Sequence, residues 1–227
     1  MNSKAVSICL KLITIVSAVT GTLISALAGR KAFMGGNTVF MYFTIQSNIA
    51  VAIIALIGLC ILFAKRKPGR AWDVVKLVGT VAITLTGVVF CFVLAPTLGD
   101  KAWNFQNILT HVVVPVAAIA DFFVMAKEYD IKKRSVLWVV VPPILYAIYA
   151  GIGFVQGWEF APGYNYPYFF LNWGSPAGAF GFSGEMPFMG TAWWILVIMI
   201  FLICIGHCYL FVADKIKKKA LSRTTLQ

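Results

Sequence analysis

Six apolar stretches, each about as long as a membrane-spanning helix, divide this 227-residue sequence. A helix needs about 20 apolar residues to cross the hydrocarbon core of a bilayer. Because 60% of the residues are hydrophobic and only 12% are charged, a water-soluble domain of this length could not bury the apolar surface. The sequence therefore predicts an all-α polytopic integral membrane protein, with one transmembrane domain over residues 1–227. The six predicted helices cover residues 8–28, 39–64, 74–94, 105–126, 136–154 and 188–213, and an outer loop covers 156–187.

The basic residues are distributed unequally between the two sides of the predicted helices. All but three of the 19 Lys and Arg residues fall on one side, and the exceptions are Arg30, Lys31 and Lys101. Cytoplasmic loops of membrane proteins carry such an excess, so both chain ends are expected in the cytoplasm. Lys11 and Lys76 are counted on the cytoplasmic side. The net charge of +11 then indicates topology and attraction to membrane lipids, and no nucleic-acid partner, because the charges lie in short loops.

The first apolar stretch has a second interpretation. Lys4 and Lys11, an apolar run and Ala26-Leu27-Ala28 also fit a cleavable signal peptide. The run is longer than the usual apolar core of such peptides, which favours a retained first helix. Cleavage would leave five helices in the same orientation.

Several ionisable residues lie near the predicted cytoplasmic ends of helices. Asp73, Lys76, His207 and Asp214 are expected to reach the interface, where snorkelling and hydration account for them. Asp121 lies deeper in the cytoplasmic half of helix four and is expected to form a hydrogen bond between helices. In a transporter, the same carboxylate would be a coupling or pore residue.

A second polar group lies in the outer half of helices two and four. Thr44 is five residues into its helix, roughly 8 Å deep, and His111 is six residues into its helix, roughly 9 Å deep. Asn48 lies one turn after Thr44, and Asn107 lies one turn before His111, so each helix presents a polar face. The common depth predicts a polar pocket with helices two and four as its walls.

A Thr and a His at one depth suit acyl transfer. The imidazole takes the hydroxyl proton while the oxygen attacks an ester carbonyl, and no metal or cofactor is needed. Asn48, Asn107 or a Tyr of the outer loop is expected to stabilise the oxyanion. In the purely structural alternative, Thr44 bonds a carbonyl one turn earlier and His111 links two helices.

Three short motifs resemble a known family. Tyr42-Phe43-Thr44 opens helix two, Asn107-x-x-x-His111 precedes Pro115 in helix four, and an aromatic run from Tyr164 to Asn172 precedes the last helix. Together they resemble the androgen-induced and androgen-dependent membrane hydrolases and their bacterial six-helix relatives. Eukaryotic members are threonine hydrolases acting on fatty acid esters of hydroxy fatty acids. The resemblance implies Thr44 as nucleophile, His111 as base, a lipid-like ester as substrate and, for the bacterial branch, the cytoplasmic membrane as location.

The sequence departs from the vertebrate members at two places. The spacing from His111 to Pro115 is one residue shorter than expected, and the run Gln46-Ser47-Asn48 resembles the bacterial branch. Asn48 therefore inherits no role from the family. The substrate and the oligomeric state stay open, because a fold and even a nucleophile persist while substrates change.

Other functions fit the sequence less well. Gly181-Phe182-Ser183-Gly184 matches a rhomboid protease pattern. The only later His is His207, which lies roughly 30 Å away along the helix axis, near the opposite membrane face. Ser183 is therefore expected in a turn. His111 and His207 lie at opposite depths and cannot clamp one haem. Cys204, His207 and Cys208 lack a fourth metal ligand.

The alternative from another class is a small membrane transporter or scaffold without catalysis. The chain lacks the repeated halves and paired broken helices typical of many transporters. The outer loop is expected either to cap the bundle at headgroup level or to act as a lid over the pocket between helices two and four.

Overall fold

The computed structural model describes residues 3–28 and 36–224 and confirms the all-α architecture with six helices long and apolar enough to span a membrane. Arg30 and Lys31, two of the three basic residues expected on the outer side, lie outside the described residues. The six spans are α1 (Ser3–Ala28), α2 (Phe43–Phe63), α3 (Arg70–Ala102), α4 (Phe105–Val124), α5 (Lys133–Val155) and α6 (Thr191–Thr224).

The predicted helix ends differ from the observed ones for physical reasons. α2 begins at Phe43 instead of residue 39. A separate 3-10 helix covers Gly36–Met41, and the extended backbone of Tyr42 separates it from α2. α5 begins earlier, with a 3-10 segment before Pro142, since a proline fits best in the first turn of an α-helix. α6 continues well past residue 213, because a Lys-rich sequence favours helix in water as well as at a membrane surface.

Two helices each contain a π-helical turn, and the two turns lie side by side. They cover Phe90–Leu94 in α3 and Leu109–Val113 in α4. Each closes with a hydrogen bond from an N–H to the carbonyl five residues earlier, and a proline follows within two residues. Because proline lacks an N–H, it disturbs the normal ladder, and the π turn repairs it locally.

The bundle has two chemically different ends. The basic end carries residues 65–70, 127–134 and 215–219, and the loop end carries residues 156–190. A large apolar core lies toward the basic end, where α3, α4, α5 and α6 meet, and includes Leu77, Phe122 and Leu202. An aromatic cluster around Tyr146 and Phe160 fills the loop end. Apolar side chains also cover the outside of the spans, as expected for a surface that faces lipid.

A buried ion cluster joins α1, α3 and α4 toward the basic end. The Nζ of Lys11 lies 2.7 Å from Asp121 Oδ1, and the Nζ of Lys76 lies 2.6 Å from Asp121 Oδ2. Ser7 donates a further hydrogen bond of 2.6 Å to the same carboxylate. The expected interhelical role of Asp121 is confirmed. We name Lys11, Lys76, Asp121 and Ser7 the ion cluster.

The ion cluster corrects the prediction for Lys76. This residue is only 3% exposed and bonds Asp121, so the prediction that it snorkels to water is wrong. Lys11, which was counted on the same side, is 4% exposed and also belongs to the bundle interior. Asp73, also expected at the interface, is buried and accepts the N–H of Asp130. Gly58 of α2 makes room for Lys11, since a Cβ there would lie 2.7 Å from Lys11 Cε.

Candidate functional site

Thr44 lies in the first turn of α2, at the loop end of the bundle. Its Oγ1 is 3.4 Å from the hydroxyl oxygen of Tyr168, which belongs to the loop between α5 and α6. The backbone N–H of Thr44 also donates to that oxygen, at 3.4 Å. Thr44 therefore directs its hydroxyl toward the loop. The structural alternative expected this hydroxyl to bond a carbonyl one turn earlier, and among the described residues it does not.

A narrow cavity of about 50 Å³ adjoins the Thr44 hydroxyl. Its walls come from α2, α3, α5, α6 and the loop, and the lining side chains are mostly apolar. The polar ones are Thr44, Thr86, Tyr146 and Tyr168. Of the two helices predicted to form the walls, α2 lines the cavity and α4 does not. We call this space the Thr44 cavity.

His111 lies behind one wall of the Thr44 cavity. Its ring stacks on Phe90 of α3, with the centroids 3.7 Å apart and the planes inclined by 23°. Phe90 lines the cavity, so the phenyl ring separates the imidazole from the cavity space. The two adjacent π turns bring these rings together, and π turns are frequent at functional sites.

The hydrogen bonds of His111 determine which ring nitrogen carries the proton. Nδ1 lies 3.0 Å from the carbonyl oxygen of Asn107 and 3.0 Å from Thr110 Oγ1. Thr110 in turn donates to the carbonyl of Gln106. A carbonyl only accepts, so the network assigns the proton to Nδ1 and leaves Nε2 as the basic nitrogen. A backbone carbonyl thus orients the imidazole.

Asn48 joins the helices that carry Thr44 and His111. Its fully buried side chain donates from Nδ2 to the carbonyls of Thr44 and Thr110, at 2.8 and 3.1 Å. One amide therefore holds α2 and α4 at a common level, as the depth comparison predicted. In the part of the chain that the structure describes, no hydrogen bond joins Thr44 and His111 directly.

The two asparagines expected as oxyanion donors have other partners. Both hydrogens of the Asn48 amide are used by carbonyls, while its Oδ1 is buried without a partner among the described residues. Asn107 donates from its side chain to the carbonyl of Ala102. Neither side chain lines the Thr44 cavity.

Tyr168 is the tyrosine of the outer loop that lies beside Thr44. Its ring packs edge-on against Tyr42 at 5.8 Å and stacks on Phe170 at 5.0 Å, which fixes the phenol over the cavity. Burial raises the pKa of the Tyr168 phenol above its ordinary value, so the hydroxyl stays protonated near neutral pH. The loop lines the cavity with Tyr168, Phe170 and Leu171 and therefore covers it.

The remaining sequence candidates lie elsewhere. Ser183 accepts a hydrogen bond from the N–H of Glu185, as expected for a turn residue. His207 is exposed on the outside of α6. Phe90 had no sequence signal, whereas Tyr168 lies in the aromatic run that was noted before the last helix.

Comparisons with family models, with curated proteins and with solved structures give no match for this chain. The structure by itself supports an integral membrane protein with six candidate transmembrane helices. What the Thr44 cavity does must therefore be argued from its geometry and chemistry.

Proposed function

We propose that the protein is an intramembrane hydrolase of lipid-like esters, with Thr44 as nucleophile and His111 as base. The observation that carries the proposal is the Thr44 hydroxyl in the wall of a mostly apolar cavity, beside a protonated phenol. The motif resemblance to the bacterial branch of the androgen-induced membrane hydrolases supports it. Its place would then be the bacterial cytoplasmic membrane, with both ends inside.

The reaction needs two proton transfers in each half. Thr44 Oγ1 attacks the ester carbonyl and gives its proton to His111 Nε2, and collapse of the tetrahedral intermediate breaks the bond to the alcohol oxygen. That oxygen takes the proton from Nε2 and leaves as an alcohol. Water then attacks the acyl-threonine through the same base, and a carboxylic acid leaves as Thr44 regains its proton.

Tyr168 is the oxyanion donor in this scheme. Its hydroxyl lies 3.4 Å from the attacking oxygen and keeps its proton because burial raises its pKa. A donor beside the nucleophile can stabilise charge that develops on the carbonyl oxygen. Phe90 must rotate away from His111, or a water must pass its edge, before Nε2 receives the proton. Catalytic hydrogen bonds commonly tighten only when substrate is present.

The cavity suits an ester group more than a whole lipid. Its about 50 Å³ accommodates a small group, and the adjoining walls from α5 and α6 are apolar. The acyl chain would follow Pro143, Ala147 and Ile195 toward the lipid, while the ester stays at the loop end. A long-chain monoester therefore fits better than a polar or branched substrate.

A transport function has less support. Asp121, the acid that a transporter would use for coupling, bonds Lys11, Lys76 and Ser7. It does not line the Thr44 cavity. A carboxylate with three donors in a packed interior holds helices together more readily than it carries a proton along a pathway.

The test combines labelling with turnover. Purified protein in detergent is treated with a lipophilic fluorophosphonate, and hydrolysis of a long-chain acyl ester of a fluorescent alcohol is followed. We expect the label on Thr44, and we expect Thr44→Ala and His111→Ala each to reduce kcat/KM by about 10³-fold or more. The double variant should be little worse than either single variant, because the two groups act as a unit. Thr44→Ser should keep part of the activity.

Matched controls are available for both positions. Thr86→Ala removes another hydroxyl from the same cavity, and His207→Ala removes a His from the lipid-facing side of α6. Both should leave turnover within about threefold, the size of effects unrelated to the reacting atoms. Full turnover by a folded Thr44→Ala protein, or equal losses in Thr86→Ala, would refute the proposed nucleophile.

A further inference from the structure

A charged groove lies at the basic end, far from the Thr44 cavity. It has a volume of about 630 Å³ and lies between the beginnings of α3 and α5. Its lining includes Arg70, Lys132 and Arg134, with Asp130 as the acidic member. Positive charge therefore dominates a concave surface where the helices enter the predicted cytoplasmic face of the membrane.

The charges of this groove are not balanced internally. Arg70 Nε bonds Asp130 Oδ2 at 2.7 Å, and this contact holds the pKa of the carboxyl below its ordinary value. Among the described residues, neither Lys132 nor Arg134 has a carboxylate within ion-pair distance. The groove keeps a net charge of two positive units.

The start of α3 adds hydrogen-bond donors to the same place. α3 begins at Arg70, and Gly69 before it supplies no side-chain cap. The first N–H groups of a helix lack partners within the helix and carry partial positive charge. Together with the basic side chains they form a surface suited to a phosphate group.

A second, apolar groove adjoins the charged one. It has a volume of about 400 Å³, lies between α2, α3 and α5, and is lined by side chains such as Ile54, Val75 and Val78. Val74 and Trp138 line both grooves, so the two spaces adjoin at these residues. A half-exposed Trp at such a boundary is typical of the headgroup level of a membrane.

We propose that the combined groove binds one anionic glycerophospholipid of the cytoplasmic leaflet. Its phosphate contacts Arg134, Lys132 and the start of α3, and one acyl chain occupies the apolar groove. The net positive charge favours an anion and the adjoining apolar groove accommodates a chain, so free phosphate would occupy only half of the site. Basic pockets between helices on this face are known to suit anionic headgroups.

The test measures lipid retention by native mass spectrometry. Protein in a mild detergent is titrated with phosphatidylglycerol or phosphatidylcholine of identical chains. We expect one phosphatidylglycerol to bind at least about tenfold more tightly than phosphatidylcholine. Lys132→Gln with Arg134→Gln should weaken phosphatidylglycerol binding about tenfold or more and leave phosphatidylcholine unchanged, since two cations near an anionic headgroup are removed.

A second variant tests the apolar half without changing charge. Val75→Trp fills the groove from a lipid-facing position, and Ile57→Trp places the same ring at another position that is equally exposed, both at 44%. We expect only Val75→Trp to weaken phosphatidylglycerol binding. Excess inorganic phosphate should not displace the lipid.

The control for charge is Lys218→Gln with Lys219→Gln, which removes two exposed cations of α6 outside the groove. Equal retention of the two lipids would overturn the proposal. So would an equal loss in the α6 control, which would indicate general surface attraction. Unchanged binding in both Lys132→Gln with Arg134→Gln and Val75→Trp would overturn it as well.

Discussion

One helix, α4, carries two buried polar groups with very different surroundings. His111 near the loop end is 8% exposed and stacks on an aromatic ring beside a cavity. Asp121 toward the basic end is 1% exposed and bonds two ammonium groups and a hydroxyl. Both groups lie in predicted spans, where any ionisable residue is first suspected of function.

The two groups differ in how many of their hydrogen-bonding atoms have partners. All the donors around Asp121 point at its carboxylate, and the surrounding core is packed. At the loop end, the Thr44 hydroxyl has one described contact, at 3.4 Å from the Tyr168 oxygen, and Nε2 of His111 has no described partner. Unused hydrogen-bonding capacity beside a cavity favours chemistry, whereas full pairing without a cavity favours helix association.

The largest expected effect concerns stability at the ion cluster. Asp121→Asn removes the negative charge and leaves Lys11 and Lys76 buried without a counter-ion. We expect a loss of about 3 kcal/mol or more in the free energy of unfolding, measured by denaturant titration in detergent. Ester turnover per folded molecule should stay largely intact.

Asp130→Asn is the matched control for that change. It alters the same chemical group in an ion pair of similar length, but Asp130 is exposed to solvent. We expect no measurable change in the unfolding midpoint, because exposed pairs contribute little. Complete loss of turnover in folded Asp121→Asn protein would instead indicate that Asp121 takes part in the reaction. The distinction between a structural Asp121 and a catalytic His111 would then be wrong.

An intermediate effect is expected at Tyr168. Tyr168→Phe keeps the ring packing but removes the proposed oxyanion donor, so kcat should fall about 10²-fold while the thermal midpoint changes little. Tyr166→Phe removes a hydroxyl from the same loop two residues away and should leave kcat unchanged. Equal rates for the two variants would show that the Tyr168 hydroxyl only holds the loop.

The smallest measurable effect is expected for a neutral contact between helices. A hydrogen bond of 2.7 Å joins Ser47 of α2 and Thr86 of α3, both buried. We expect Ser47→Ala to cost about 0.6 kcal/mol of unfolding free energy, typical of hydrogen bonds between membrane helices. A cost as large as that of Asp121→Asn would mean that charge is not what distinguishes the ion cluster.

The spans were predictable because hydropathy reports directly which segments the lipid accepts. The ends were less so, since α6 stays helical through the Lys-rich residues 215–219, where hydropathy has already fallen. The π turns depend on Pro96 and Pro115 and on how the neighbouring helix packs, which a single sequence does not reveal.

The common depth of Thr44 and His111 was predictable, but the residues that line the cavity were not. Counting residues placed Thr44 and His111 at one depth, and Asn48 does hold their helices level. The intervening Phe90 could not be foreseen, because any apolar residue of α3 looks equivalent in sequence. The pairing of Lys11 and Lys76 in the interior was missed for a related reason: their counter-ion is distant in sequence, 110 residues away in the case of Lys11.

That separation has a consequence for how the chain is made. During synthesis α1 is made before α4, yet the counter-ion of Lys11 belongs to α4. Until residue 121 has been inserted, the only described partner of the ammonium within its own helix is Ser7. Because an unpaired charge is costly in hydrocarbon, α1 can reach its final position only after α4 has been inserted.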